Sequence, residues 1–559
     1  MATGDIPLSG NPVDLRVPTA SLIHQLVSSA PTYLRTSLLK PTSLKAVGRT
    51  IRAVWRWGFS LAALLESASA AHPGRVCLID DVSPLTYREL NSRAHAFARA
   101  LSKRKLGEGS RIAIVARNSR VPVIALVACD LIGAVPMAMN PASSPAQLER
   151  TADEYAAQAV VADADYAAAF RKLDVPVFVG YGAEDGLPEA LRNTAFSGEA
   201  TSYAEAISAG LLSAGAPFGR TKRSPTVIMS SGTRGQPKAV VRGVPKSPQV
   251  LGSIFGKVPW RTGGVIQLSA SLFHAWGWLN LNLVFATASA MILRRRFDGE
   301  EAIADLKRYG VTGIVSAAVF LKELLQADSG RGGEGVEFIV SSGNAIPPHL
   351  VHELNARFGE VTCNFYGSTE HGPIAVASAR ELAADPRHAG TVAPGVRTAI
   401  LDAEGARLPV GEVGRIYSAN SESMKGYLGA NDPVDVKDHM LATGDLGFFD
   451  KDGFLYVAGR ADDMVIKGGE NVYPRELEEL LARQPQIADV YVQGERGEIA
   501  SKLNCFIVPA PGATIDDAAV NRLVLDNLAR HNLPDRIVWL DKLPRNEAGK
   551  VVPRLLPVG

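Results

Sequence analysis

Cysteine is scarce in this chain. Four residues in 559 are cysteines, Cys77, Cys129, Cys363 and Cys505. They are far apart and form no CxxC pair, which argues against a disulfide framework or a zinc site and fits a reducing cytoplasm. Neither charge sign is in excess. Lys plus Arg total 59 and Asp plus Glu 57, a net charge of +2, so the balance gives no reason to expect nucleic acid as a partner. A membrane-length apolar run is missing. The most apolar long stretch, Val121 to Met139, is interrupted by Asp130, Gly133 and Pro136; it reads as a buried helix followed by a strand. The start of the chain carries no basic-then-apolar leader, and Asp5 arrives early. Internal repeats and low-complexity runs are absent.

What is present is enough apolar material for several cores. Hydrophobic residues make up 46% and charged residues 21%, and at about 150 residues per domain the length suggests three or four domains or subdomains. Residues 1–65 form a basic extension. Arg35, Lys40, Lys45, Arg49, Arg52 and Arg56 recur there among Leu38, Leu39, Leu44, Val47, Ile51, Trp55 and Trp57. A helix of that kind either lies on an anionic membrane or packs on the main body with its cations solvated. From about Ala62 helical and apolar extended segments alternate. Arg111–Ala116, Ala157–Ala162, Ile314–Ser316 and Glu337–Val340 read as strands, and Tyr87–Leu101 as an amphipathic helix opened by Thr86. Such alternation predicts an α/β domain of mostly parallel sheet over residues 66–459. Residues 460–559 read as a small α+β unit, with helices Pro474–Gln484 and Asp516–Arg530 and short strands Val490–Val492 and Asn504–Val508.

The strand Thr226–Met229 runs into Ser230-Ser231-Gly232-Thr233-Arg234-Gly235-Gln236-Pro237-Lys238. Glycines and small residues let backbone N–H groups approach phosphate oxygens closely, while hydroxyls and the cations Arg234 and Lys238 add donors and charge. It is not a Walker A loop, because Pro237 stands where that motif needs glycine. Asn364-Phe365-Tyr366-Gly367-Ser368-Thr369-Glu370 places a carboxylate beside a hydroxyl after a strand, as a Mg²⁺–phosphate site requires. Thr443-Gly444-Asp445 offers a carboxylate of the kind that accepts ribose hydroxyls.

The phosphate loop resembles that of the adenylate-forming superfamily of acyl-CoA synthetases, luciferases and adenylation domains, with Arg234 for a threonine and Ala239 for a glycine. Six motifs stand in that family's order between about residues 66 and 556. The resemblance implies that Ser230, Ser231, Gly232, Thr233, Arg234, Gly235 and Lys238 hold the ATP phosphates. It implies that Ser342-Gly343-Asn344-Ala345 lines the adenine and acyl pockets. Tyr366 would lie against adenine, beside Gly367 and Ser368. Thr369 would meet the α-phosphate and Glu370 would serve Mg²⁺, while Asp445 and Arg460 would bind ribose. Gly459-Arg460-Ala461-Asp462 through Tyr473-Pro474 is similar to the hinge motif, which makes Asp462 the pivot of a mobile lid and puts Gly468, Gly469 and Glu470 along the pantetheine tunnel. Pro544-Arg545-Asn546-Glu547-Ala548-Gly549-Lys550 is similar to the catalytic-lysine motif. Phe273-His274 resembles the acyl-CoA ligase form of the acyl gate, in which His274 pairs with Glu470.

The closest likeness is to bacterial fatty acyl-CoA synthetases. It implies ATP-dependent activation of a carboxylic acid, a medium- or long-chain fatty acid, to acyl-AMP, followed by transfer to coenzyme A in the cytoplasm. One departure keeps an alternative open. Gln493-Gly494-Glu495-Arg496-Gly497-Glu498-Ile499 stands where the family carries a longer segment near the CoA path, so an acyl-AMP ligase loading the phosphopantetheine of a carrier protein is the second reading. A nucleotide-binding scaffold with a dead site is opposed by the intact Lys238, Glu370, Asp445, Arg460 and Lys550, and nothing requires a luciferase-like oxygenase.

Overall fold

Val-, Ile- and Ala-rich segments with no polar face must be covered on both sides, and that requirement organises the large domain. The computed structural model describes Leu15 and residues 43–557, apart from 214–217, 222–224, 231–237, 243–248, 328–329, 331, 429–433, 462, 468–469, 496–501 and 547–548. The strands Arg111–Val115, Val135–Ala138, Ala159–Ala162 and Val177–Val179 run parallel at the centre of an eight-stranded sheet. The stretch Val121–Met139 divides as its breakers foretell. A helix, Arg120–Ile132, ends at Gly133 in the left-handed region (φ 70°), and the strand Val135–Ala138 follows. Helix Tyr87–Lys103 opens with a reciprocal cap between Thr86 and Glu89 and packs Leu90, Phe97 and Leu101 into the same core.

A second, 14-stranded sheet combines a parallel part with a larger antiparallel part. Strands Val265–Leu268, Gly313–Ser316, Phe338–Ser341 and Thr362–Ser368 form the parallel part. Beyond Thr362–Ser368 each neighbour is antiparallel, through Gly372–Ala377 and Gly390–Val392 to Phe454–Arg460 and Met440–Phe449. The sheets of the large α/β domain are therefore mixed.

The small C-terminal domain has its own core of Leu477, Leu481, Ile487, Val492, Cys505, Ile507, Val520 and Val524. Its helices are Pro474–Ala482 and Asp517–Asn527. Its strands are longer than their apolar centres suggest, Ile487–Glu495 against Lys502–Pro509. The added residues break the apolar run with Asp489, Gln493, Gly494, Glu495 and Lys502, and backbone pairing of Gln493, Gly494 and Glu495 with Asn504, Leu503 and Lys502 carries the extension. Arg475 Nη1 donates to the Val457 carbonyl at 2.9 Å, and Lys322 Nζ donates to the Ala488 carbonyl, so the two domains meet. All four cysteines are buried and free. Among the described residues no helix is long and apolar enough to cross a membrane.

Candidate active site

The antiparallel strands Met440–Phe449 and Phe454–Arg460 set Asp445 directly opposite Arg460. Arg460 Nη1 donates to Asp445 Oδ1 at 3.0 Å and to the Thr443 carbonyl at 3.1 Å. The other carboxylate oxygen, Oδ2, accepts from the Tyr366 hydroxyl at 2.5 Å. Burial and the adjacent Asp445 push the Tyr366 phenol well above its ordinary pKa, so it stays a donor. Gly444 makes the pairing possible. Its φ is +79°, and a Cβ there would stand 2.7 Å from Arg460 Nη2. Thr443-Gly444-Asp445 thus sits inside a ten-residue strand rather than at the end of one.

Thr369 and Glu370 occupy the turn joining Thr362–Ser368 to Gly372–Ala377. The turn is held from several sides. The Glu370 carbonyl accepts from the Met424 N–H at 2.6 Å. The Asn420 amide donates to the carbonyls of His371 (2.8 Å) and Pro373 (3.0 Å). His371 Nε2 lies 3.0 Å from the Leu441 carbonyl, which can only accept. Nε2 therefore carries the proton, and Nδ1 accepts from Ser368 Oγ at 2.9 Å. Burial holds His371 below its ordinary pKa and so neutral. Gly367 is required by proximity, since a Cβ would lie 2.2 Å from the Gly372 carbonyl oxygen.

Behind Glu370 lies a buried ion pair that the motifs did not reveal. Arg242 Nη2 sits 3.2 Å from Glu422 Oε2, their side chains 7% and 9% exposed. A Cβ on Gly372 would lie 2.8 Å from Arg242 Nη2, which places the guanidinium directly against the turn. Burial pulls the Arg242 guanidinium down, and Glu422 and Glu370 both pull it back up. The sequence did carry one signal, a charged residue closing the otherwise apolar strand run Ala239-Val240-Val241.

The phosphate loop itself, Ser231, Gly232, Thr233, Arg234 and Gly235, lies outside the described residues, as does the side chain of Ser230. Its ends are fixed. Thr226–Ser230 pairs antiparallel with Lys238–Arg242, and Ser230 stands opposite Lys238. The Lys238 ammonium lies 5.1 Å from the centroid of the Tyr427 ring. The turn Ser342-Gly343-Asn344-Ala345 follows strand Phe338–Ser341, whose last residue is in register with Asn364, two before Tyr366. Gly343 has φ +92° with open space around a would-be Cβ.

Lys550 arrives from the small domain. Gly549 (φ +75°) presses so closely on the large domain that a Cβ would stand 2.0 Å from Val319 Cγ1. The Lys550 N–H donates to Asn546 Oδ1 at 2.9 Å, and Arg545 is paired with Asp489 at 2.8 Å. Lys550 is an exposed residue whose ammonium comes under the influence of Glu370, Asp445 and Arg460. Desolvation pulls its pKa down; Glu370 and Asp445 oppose the shift and Arg460 adds to it. His274 is held near 3 by burial first and by Lys550 second, so it is neutral. Its Nε2 is buried with no hydrogen-bond partner among the described residues. Two residues on, Trp276 stacks on Phe365, ring centroids 4.9 Å apart. Asp462, Gly468 and Gly469 lie outside the described residues, and Glu470 is described only in its backbone strand, Glu470–Val472.

The structure thus brings Tyr366, Glu370, Asp445, Arg460, Lys550 and His274 into one neighbourhood, with Lys550 supplied by the small domain. The model of the AMP-binding enzyme family matches residues 65–428. The chain belongs to the AMP-binding enzyme family. The C-terminal domain model of the same AMP-binding enzymes matches residues 476–550 and so includes Lys550. Among relatives of this family member, the sulfoacetate–CoA ligase of Cupriavidus necator is 28% identical over 509 residues, 88% of this chain and 96% of the relative. A fatty acid–[acyl-carrier-protein] ligase of Streptomyces coeruleorubidus is 26% identical over 490 residues, covering 84% and 91%. The solved o-succinylbenzoate CoA synthetase of Bacillus subtilis, in complex with its acyl-adenylate intermediate, superposes with a TM-score of 0.74 at 22% identity over 89% of this chain and 98% of that one. This likeness shows the shared fold. The relatives name acids as unlike as sulfoacetate and fatty acids, so membership does not single out the fatty acyl-CoA synthetases.

Proposed function

We propose that this protein is an AMP-forming acid–thiol ligase acting on a medium- or long-chain fatty acid, with coenzyme A as the acceptor. The observation that carries the reading is that Gly549, seated against Val319 of the large domain, delivers Lys550 to the neighbourhood of Glu370 and Asp445. In the first step a substrate carboxylate oxygen attacks the α-phosphorus of ATP. The bond to the β-phosphate oxygen breaks and pyrophosphate leaves. Lys550 meets the negative charge gathering between carboxylate and α-phosphate, and no proton need move. Lys238 and the loop after Ser230 hold the departing phosphates, and Asp445 and Arg460 fix the ribose, so positioning and charge supply the rate. In the second step the acceptor thiolate attacks the acyl carbonyl and AMP leaves. We assign residues 66–459 to the body and 460–559 to a lid that swings about Asp462 between the two steps.

Mg²⁺ fits the site. It takes one or two carboxylates plus substrate phosphates and keeps its waters. Among the described residues no hydrogen bond or ion pair ends on the Glu370 carboxylate, while its carbonyl is fixed by Met424. Glu370 would hold the ion, which would offset phosphate charge. A carrier protein in place of coenzyme A is the second reading. It is favoured by the short segment after Val492 and by the acyl-carrier-protein ligase among the relatives.

The test is a pyrophosphate-release screen over carboxylic acids, with and without coenzyme A. Long-chain acids should give the fastest release, and coenzyme A should be consumed in step. Lys550→Ala should slow adenylation by about 10²–10³-fold while sparing thioester formation from supplied acyl-AMP. A Lys550→Ala protein releasing pyrophosphate at the wild-type rate sinks the assignment.

A further inference from the structure

Helix Leu44–Trp57 divides its surface into three stripes. At about 100° per residue, Ala46, Ala53 and Trp57 fall together and are buried on the body. Leu44, Val47, Ile51 and Trp55 fall on a second stripe and are 92%, 36%, 65% and 62% exposed. Lys45, Arg49, Arg52 and Arg56 make the third, and Leu44–Trp57 contains no acidic residue. Four of the twelve exposed large apolar side chains among the described residues therefore lie on one helix. The Arg220 guanidinium sits over the Trp55 ring, 5.5 Å from its centroid, and brings a further cation to the edge of the stripe.

An isolated exposed leucine needs no explanation, but a continuous apolar row at helical spacing beside a row of cations does. The buried stripe shows that packing on the body is already satisfied, so the exposed row is in addition to it. Apolar residues with a tryptophan along one line, and lysine and arginine along the adjoining one, match the boundary between acyl chains and anionic headgroups.

We propose that the face formed by Leu44, Val47, Ile51 and Trp55, with the adjoining row Lys45, Arg49, Arg52 and Arg56, seats the protein on an anionic lipid bilayer. The contact is peripheral, with the helix lying in the interface. It is independent of the ligase reading, since none of these residues belongs to the candidate active site.

The test is flotation of the full chain with vesicles of phosphatidylcholine alone or with about one third phosphatidylglycerol, a composition that gives the surface a negative potential. Wild type should float with the anionic vesicles and not with the neutral ones, and about 0.5 M salt should weaken the binding. Ile51→Glu/Trp55→Glu should abolish flotation. Lys45→Gln/Arg52→Gln should weaken it roughly 25-fold, at about fivefold per cation. Pyrophosphate release without vesicles should be unchanged in both, which separates a lost surface from a lost fold and from a wrong ligase reading. Wild type that stays off anionic vesicles, or variants that bind as well as wild type, overturns the proposal. So does a wild-type dimer that Ile51→Glu/Trp55→Glu turns into a monomer, because the face would then belong to a second copy.

Discussion

Removing Glu422 should cost more than removing Glu422 and Arg242 together. At 3.2 Å and an effective dielectric constant of about 20, the pair attracts by about 5 kcal/mol. Burying two ions costs several kcal/mol each, so the intact pair is close to break-even. Glu422→Ala leaves the Arg242 guanidinium buried without its partner and should destabilise the large domain by about 3–5 kcal/mol. In Arg242→Met/Glu422→Leu neither charge remains and the volume is nearly kept, so the loss should stay within about 1–2 kcal/mol. Urea denaturation followed by tryptophan fluorescence reads both. Activity should not follow stability. The double variant has lost the guanidinium packed against the Glu370 turn, and pyrophosphate release should fall about tenfold, or 1.4 kcal/mol. A double variant whose loss equals the sum of the two single losses would refute the reasoning, as would a Glu422→Ala protein of wild-type stability.

Two further outcomes follow from the small domain. Gly549→Ala puts a methyl group where Val319 stands and asks alanine to take φ +75°; adenylation should drop at least tenfold while supplied acyl-AMP is still converted, and equal pyrophosphate release by the two proteins would show that the contact does not seat Lys550. Burial pushes the Glu478 carboxyl up to about 7, with Val492 N–H donating to it at 2.9 Å and opposing the shift. The folded form then binds the proton more tightly than the unfolded one, so this stabilisation is full below about pH 4.5 and is lost as pH rises through 7. Glu478→Gln should remove that dependence, worth on the order of 1–3 kcal/mol, and melt higher than wild type at pH 8. A pH-independent difference in melting temperature would count against it.

Much of the candidate site could be proposed from the chain because its charged residues sit beside glycines in short contiguous runs. Gly444-Asp445, Gly459-Arg460 and Gly549-Lys550 each set a charged side chain beside a glycine of positive φ. The pairing of Arg242 with Glu422 could not be read, for the opposite reason. They are 180 residues apart, and neither lies in a motif. The parallel strands announced themselves by uninterrupted apolar runs such as Ala159–Ala162. The antiparallel part did not, because strands as short as Gly390–Val392 owe their pairing to neighbours rather than to pattern. No pattern in the chain places Thr443-Gly444-Asp445 mid-strand, where the left-handed conformation and the close approach of Arg460 favour glycine.

The five-residue strand Lys238–Arg242 has Lys238 at one end, beside the loop that would take the ATP phosphates, and Arg242 at the other, against the Glu370 turn. Anything that shifts this strand along its axis is felt at both ends. Nucleotide and metal would then be linked ligands, and whatever factor the metal adds to nucleotide affinity the nucleotide must return to the metal. A substitution at either end of this strand should therefore change both nucleotide affinity and the divalent-ion concentration that supports half the maximal rate.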